Sequence, residues 1–170
     1  MIRSIPLFAL AFVALCTGCG ANYTWKSSVP AEMRTVAVPT FRNESDAQEL
    51  GAIASRQVLR ELQREGTFRI RTQGDAALEI QGVVKSMALG PRAYDRSTEM
   101  RLRAYDVSAV VEISVIDKRR RKVLVDSRPY QATARATVEQ DMTTALRDAS
   151  GRLMEDLATQ VVDDLLNLKW

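Results

Sequence analysis

Histidine is absent from all 170 residues of this chain, and its absence narrows the chemistry that the protein can perform. Histidine is the usual general base near neutral pH and the commonest metal ligand. A Ser-His-Asp or Cys-His catalytic site therefore cannot be built here, and the zinc sites that use histidine are excluded as well. Glycine-rich phosphate loops, metal-ligand spacings and nucleophile elbows are also missing. We therefore expect a protein that is not an enzyme and needs no metal or cofactor.

Long hydrophobic runs are scarce too. The longest, Ile5 to Leu15, is shorter than the roughly 20 apolar residues that a bilayer-spanning helix needs. It follows a positive charge at Arg3 and precedes small residues, which is the pattern of an export signal. We therefore interpret the N-terminus as a targeting segment.

The chain has two cysteines, and one of them ends this segment. Gly18 directly precedes Cys19, as in the lipobox of bacterial lipoproteins, whereas bulky Leu15 precedes Cys16. We predict a lipoprotein signal peptide over residues 1–18 and lipidation, including palmitate, on Cys19. An ordinary cleaved signal and a buried thiol pair are the alternatives. The next residue is Gly20 rather than the Asp that retains lipoproteins at the inner membrane, which favours the outer membrane.

The rest of the chain has an ordinary globular composition, with 46% hydrophobic and 26% charged residues. The formal net charge of +3 is too small for a general nucleic-acid binder, so we expect no nucleic-acid partner. Residues 19–33 are polar and turn-rich, and we predict that they form a lipidated tether. Residues 34–170 are predicted to form a single α+β domain on the periplasmic side.

The first half of this domain reads as strand, helix, strand. Thr35 to Val38 is β-prone, and Thr40 to Ser45 reads as a loop. Ser45 begins a possible capping box, and the apolar residues after it recur with helical spacing, which predicts a helix. Gly66 is predicted to end this helix. Thr67 to Arg71 is the second strand of what we predict to be a parallel βαβ unit.

The second half reads as three strands and a long helix. Leu78 begins a strand that Gly90-Pro91 is expected to interrupt, and Arg101 to Ile116 alternates apolar and polar residues. Val123 to Ala134 returns as its hairpin partner, with Pro129 favouring an edge strand. An amphipathic helix follows. The predicted fold is an α+β two-layer sandwich: a mixed sheet of four to five strands with two helices on one face, in the order βα, βββ, α.

Five consecutive cations at the tip of the predicted hairpin stand out: Lys118, Arg119, Arg120, Arg121 and Lys122. Such a run repels itself unless an anion neutralises it, and arginine suits phosphate through its two-pronged guanidinium. The functional interpretation is capture of phosphates on lipid A, on anionic lipid or, least favoured, on nucleic acid. The alternative is a solvated turn that protects against aggregation.

A second basic group flanks the entrance to the long strand, with Arg92, Arg96, Arg101 and Arg103. Arg101 and Arg103 share the apolar face of that strand, where they could rim the hydrophobic interior and suit an amphiphile with phosphates and acyl chains. Cations snorkelling at a sheet edge are an equal alternative. The paired carboxylates of the last helix, such as Asp163-Asp164, read simply as its solvent side.

Several stretches, taken in order, resemble the LPS-assembly lipoprotein family LptE. They cover nearly the whole chain after Cys19: Gly20 and Tyr23, Val36 to Asn43, Arg60 to Gly66, Ala77 to Gly82, Pro91 to Asp95, and Asp156 to Val162 with terminal Trp170.

The resemblance implies a non-enzymatic partner of the outer-membrane β-barrel LptD. Members plug that barrel, assist its assembly and bind lipopolysaccharide (LPS) through basic residues. On charge alone, we expect LPS or anion binding at a set of eight positions: Arg92, Arg101, Arg103, Lys118, Arg119, Arg120, Arg121 and Lys122. One alternative is a regulatory or secretion lipoprotein of the LpoB or CsgG type, whose members begin with a similar strand, Pro-Phe-x-Asn exit and helix. Another is a carrier of anionic lipid that has no barrel partner.

Overall fold

The computed structural model describes residues 29–72, 74–94, 102–137 and 141–170. In chain order, the elements are a 3-10 turn (Ala31–Met33), β1 (Thr35–Ala37), β2 (Arg42–Asn43), α1 (Leu50–Glu65), β3 (Arg69–Ile70), β4 (Leu78–Tyr94), β5 (Leu102–Asp117), β6 (Lys122–Thr137) and α2 (Met142–Leu166).

All six strands belong to one mixed sheet with the order β3-β1-β4-β5-β6, and β2 pairs with β4 beyond the end of β1. β1 is parallel to both β3 and β4, which confirms the parallel βαβ unit. The long strands β4, β5 and β6 form an antiparallel meander. The predicted α+β sandwich is confirmed, with one strand more than expected because β2 lies inside the segment that read as a loop.

Both helices pack on the same face of this sheet, α1 over β4 and α2 over β5 and β6, and they contact each other. The alternation of β5 explains this, because its inward side chains are all at most 2% exposed: Val107, Ala109, Val111, Ile113 and Val115. The buried side of α2 meets them with Leu153, Leu157 and Val161. Burial of two matched apolar faces is the main favourable term in folding.

Phe41 joins the loop after β1 to both layers. Its side chain is 4% exposed, and its ring lies against Gly82 of β4, where an added Cβ would come within 2.4 Å of it. Its carbonyl oxygen lies against Gly51, where an added Cβ would be 2.2 Å away. The two glycines therefore allow α1, this loop and β4 to approach one another closely.

Of the two helix-end signals predicted from the sequence, one was wrong and one is confirmed. Ser45 does not cap α1: its backbone N–H and hydroxyl donate to Asn43 Oδ1, and the helix begins after Glu49, which has a left-handed φ of 63°. Gly66 does end α1 as predicted, with φ 83° and its N–H bonded to the Leu62 carbonyl. α2 is capped by Asp141, which accepts from the Thr144 N–H at 2.8 Å.

The packed domain also begins earlier than residue 34. Val29 is 1% exposed and Met33 is 4% exposed, so both belong to the core rather than to a solvated tether. The Val29 carbonyl accepts a hydrogen bond from Arg34 Nε at 3.2 Å, which fixes the position where the described chain enters the domain.

Candidate functional site

The predicted basic residues fall into two groups at opposite ends of the sheet. Pro91 of β4 pairs with Tyr105 of β5 at one end, and Asp117 pairs with Lys122 at the other. The strand between Tyr105 and Asp117 covers roughly 40 Å at about 3.3 Å per residue. A single phosphate headgroup therefore cannot contact both groups at once.

The conformation of the hairpin tip, residues 118–122, is set by a buried carboxylate. Asp117 is completely buried, and its Oδ1 accepts hydrogen bonds from the backbone N–H groups of Arg119 at 2.9 Å and Arg120 at 3.0 Å. Arg121 then takes a left-handed φ of 53° before β6 begins. This turn holds the backbone of the basic run in one conformation, although its arginine side chains are exposed.

Two of the five cations at the tip are engaged by carboxylates. Lys118 Nζ donates to Glu79 Oε2 at 3.0 Å, and Gln81 Nε2 donates to the other oxygen at 2.7 Å. The bond from Gln81, and to a smaller extent the bond from Lys118, hold the pKa of Glu79 below its usual value, although burial acts in the opposite direction. Arg120 lies 3.7 Å from both Glu32 and Asp117.

The other three cations, Arg119, Arg121 and Lys122, are exposed and make no side-chain ion pair with any described residue. Lys169, near the end of the chain, is also exposed and lines one shallow cleft together with Lys122 and Trp170. The hairpin tip is therefore a rigid turn that presents unneutralised positive charge.

The second basic group is only partly described. Arg101 lies outside the described residues, as do Arg96 and the side chains of Arg92 and Arg103. The backbones of Arg92 and Arg103 belong to β4 and β5. Cys19, the predicted lipidation site, lies outside the described residues too.

An apolar surface lies on the inner face of the sheet near this second group. Leu89 of β4, which pairs with Val107, is 48% exposed. Met87 and Tyr105 beside it are partly buried against the core. Exposed apolar side chains next to a basic segment are what an amphiphile with phosphates and acyl chains would contact.

The opposite face of the sheet carries no helix among the described elements. Its side chains along β5 and β6 are mostly small or polar and half-buried or exposed, as with Ser108, Glu112, Gln131 and Thr133, with Val110 and Ile116 as the apolar members on β5. A broad face of this kind suits contact with a polar, water-lined wall better than burial in lipid.

One polar cluster was missed by the sequence analysis. Asp164, assigned there to the solvent side of α2, accepts hydrogen bonds from Tyr130 Oη at 2.6 Å and from Arg128. Burial, and then the bond to Asp164, raise the pKa of Tyr130. The cluster joins α2 to β6. Only the distance between two separate elements reveals it, so no sequence signal could have found it.

Among residues 29–72, 74–94, 102–137 and 141–170, no helix has the length and apolar character needed to cross a membrane. No group of three or more acidic side chains in the same ranges is placed to hold a metal ion.

Comparison with known proteins gives a family and a fold. The family described as LptE, lipopolysaccharide-assembly, matches residues 33–165. No curated protein matches the chain in sequence.

Three solved structures share the fold at low identity. Hypothetical protein CT253 from Chlamydia trachomatis is 13% identical, with a TM-score of 0.57 over 79% of this chain and 96% of its own. Protein XCC0632 from Xanthomonas campestris is 10% identical, with a TM-score of 0.54 over 81% and 88%. A minor lipoprotein from Acinetobacter baumannii is 12% identical, with a TM-score of 0.50 over 79% and 93%.

Proposed function

Because the chain belongs to the LptE lipopolysaccharide-assembly family, we propose that it is an outer-membrane lipoprotein that plugs the β-barrel LptD and assists LPS assembly. The observation that carries this proposal is the family match over residues 33–165, which spans all six strands and nearly all of α2. The role is non-enzymatic: the domain acts by docking and by binding lipid.

The uncovered face of the sheet supports the docking role. It is broad and rigid, because β4, β5 and β6 are each 16 or 17 residues long and are paired along most of their length. Its small and polar side chains fit the water-lined interior of a barrel. We therefore assign this face, with Ser108 and Thr133 near its centre, to contact with the barrel wall.

Photocrosslinking in cells tests this assignment. A photoreactive residue at Ser108 or Thr133 should give an adduct with the barrel that mass spectrometry identifies as LptD. The matched control places the same residue at Gly74 or Asp75, exposed in the turn before β4. An adduct with a peptidoglycan synthase or a secretion pore would favour the LpoB or CsgG type of lipoprotein instead. Absence of any LptD adduct from both sheet positions would refute the docking face.

We further propose that LPS is bound at the second basic group, by Arg92, Arg101 and Arg103. The exposed Leu89 beside this group supports the assignment, because lipid A carries both phosphates and acyl chains. Changing the three arginines to glutamine should weaken LPS binding at least tenfold, since each charge-assisted bond contributes about 1.5–3 kcal/mol. The matched control neutralises three tip residues, Arg119, Arg121 and Lys122. Equal LPS binding by the parent and the first variant would refute this site.

A further inference from the structure

The hairpin tip and the entry of the chain into the domain lie at the same end of the molecule. The Arg120 guanidinium is 3.7 Å from the Glu32 carboxylate, although 88 positions separate them in sequence. Glu32 belongs to the 3-10 turn Ala31–Met33, which begins two residues after Val29, the first described residue, and Val29 is buried. The tip therefore lies beside the point where the N-terminal tether joins the domain.

We define the basic end as the run Lys118 to Lys122 together with Lys169. Among the described residues, three carboxylates form ion pairs with it: Glu79 with Lys118, and Glu32 and Asp117 with Arg120. Arg119, Arg121, Lys122 and Lys169 are exposed and form no ion pair with any described residue.

The four free cations come from the turn, the start of β6 and the last residues of the chain, and the cleft described above gathers only two of them, Lys122 and Lys169. A single phosphate is normally held by donors that converge on it. Cations spread over a surface are suited instead to a layer of anionic headgroups, each of them adding to the attraction without a fixed geometry.

The length of the tether allows such a layer to be reached. Ten peptide steps separate Cys19 from Val29, and they span at most about 35 Å when fully extended. A lipid anchor on Cys19 would therefore keep Val29, where the chain enters the domain beside the basic end, within that distance of the anchor.

We propose that the basic end docks on anionic phospholipid headgroups of the leaflet that holds the lipid anchor, as a second attachment besides the acyl chains. This inference rests on the proposed lipidation of Cys19. Docking orients the domain, because the opposite end of β5 is then held roughly 40 Å from the headgroup layer. In this proposal, the hairpin tip binds the membrane headgroups, and the second basic group binds LPS.

Vesicle co-sedimentation tests the docking without the lipid anchor. The mature chain, residues 19–170 carrying Cys19→Ala, is mixed with vesicles of 30% phosphatidylglycerol and 70% phosphatidylethanolamine at low salt. The variant R119Q/R121Q/K122Q removes three free charges from the tip. The control R56Q/R60Q/R147Q removes three exposed charges from the two helices.

The expected result is a partition coefficient about a hundredfold lower for the tip variant, since each cation near an anionic surface contributes about fivefold. The control should change by less than about threefold. Raising the salt to 0.5 M should abolish binding of the parent chain, because it screens the attraction. R119K/R121K should bind as the parent does, because a headgroup layer requires charge rather than guanidinium geometry.

Equal losses in the tip variant and the control would overturn the proposal, because net charge alone would then explain them. Failure of the parent chain to bind these vesicles would also overturn it. A tip variant that loses LPS binding but keeps vesicle binding would make the tip an LPS site instead. None of these outcomes bears on docking in the barrel, which the photocrosslinking experiment tests separately.

Discussion

The close approach of Phe41 to Gly82 should make this glycine intolerant of even one methyl group. A Cβ at Gly82 would lie 2.4 Å from Phe41 Cδ2 and 2.6 Å from Cε2, whereas carbon atoms in contact are normally about 3.5–4.0 Å apart. The ring would have to move by more than about 1 Å. It has little room to do so, because the Phe41 carbonyl is already pressed against Gly51.

We therefore expect Gly82→Ala to lower the free energy of unfolding by about 1–3 kcal/mol, the usual cost of overpacking a core. Phe41→Ala removes a ring that is 4% exposed and should cost about 3–5 kcal/mol. In the double variant, the new methyl group lies in the space that the ring has left. The cost of Gly82→Ala should then disappear, which gives a coupling free energy of at least about 1 kcal/mol.

Urea unfolding of the mature chain carrying Cys19→Ala measures these free energies. Gly82→Ala should lower the midpoint by roughly 1 M without changing the slope. Gly151→Ala is the matched control. Nothing lies within 4 Å of the methyl group it adds, and it should stabilise α2 by about 1 kcal/mol. The reasoning fails if Gly82→Ala has the same effect with and without the Phe41 ring.

Three further predictions concern single side chains. Asp164→Ala should lower the free energy of unfolding by about 1 kcal/mol at neutral pH, by loss of the Tyr130 hydrogen bond. Because that bond holds the pKa of Asp164 below its usual value, the difference from the parent should shrink progressively as pH falls below about 4 in acid titrations of stability. Asp117→Ala should lower the free energy of unfolding by about 1–2 kcal/mol and speed amide hydrogen exchange at the tip, because two backbone N–H groups lose their acceptor. Asp117→Asn keeps an acceptor and should lower that free energy by less. Cys19→Ala should abolish palmitate labelling in cells.

Each of these has a result that would contradict it. An Asp164→Ala difference that persists unchanged at pH 3 would show that the carboxylate charge is not involved. Unaltered exchange at the tip of the Asp117→Ala variant would mean that its turn is held by other contacts. Continued palmitate labelling of Cys19→Ala would refute the assigned lipidation site.

Much of the fold could be predicted because its signals are local and periodic. The alternation of β5 predicts one buried face, and the buried residues from Val107 to Val115 confirm it. Gly66 ends α1 because a left-handed residue after a helix favours glycine wherever the helix packs. Pro129 lies in β6, which is at the edge of the sheet as predicted.

Other signals failed because a distant segment outweighed them. Gly90-Pro91 does not end β4, since β5 pairs with this stretch on one side while β1 and β2 pair with β4 only as far as Val84. The N–H that Pro91 lacks is therefore not required by a second neighbour. Ser45 does not cap α1, because Asn43 binds it within the loop that Phe41 anchors to the core.

By itself, the sequence determined the absence of histidine chemistry, the βα, βββ, α order and which residues carry the charge. Only the tertiary structure decided where those charges meet. Two basic groups lie at opposite ends of β5, roughly 40 Å apart, because the extended strand from Tyr105 to Asp117 separates them. Glu32 and Arg120, 88 positions apart, lie 3.7 Å from each other, because β1 and β4 start beside the β5–β6 hairpin. Charge is a property of each residue, but separation depends on how the strands pair.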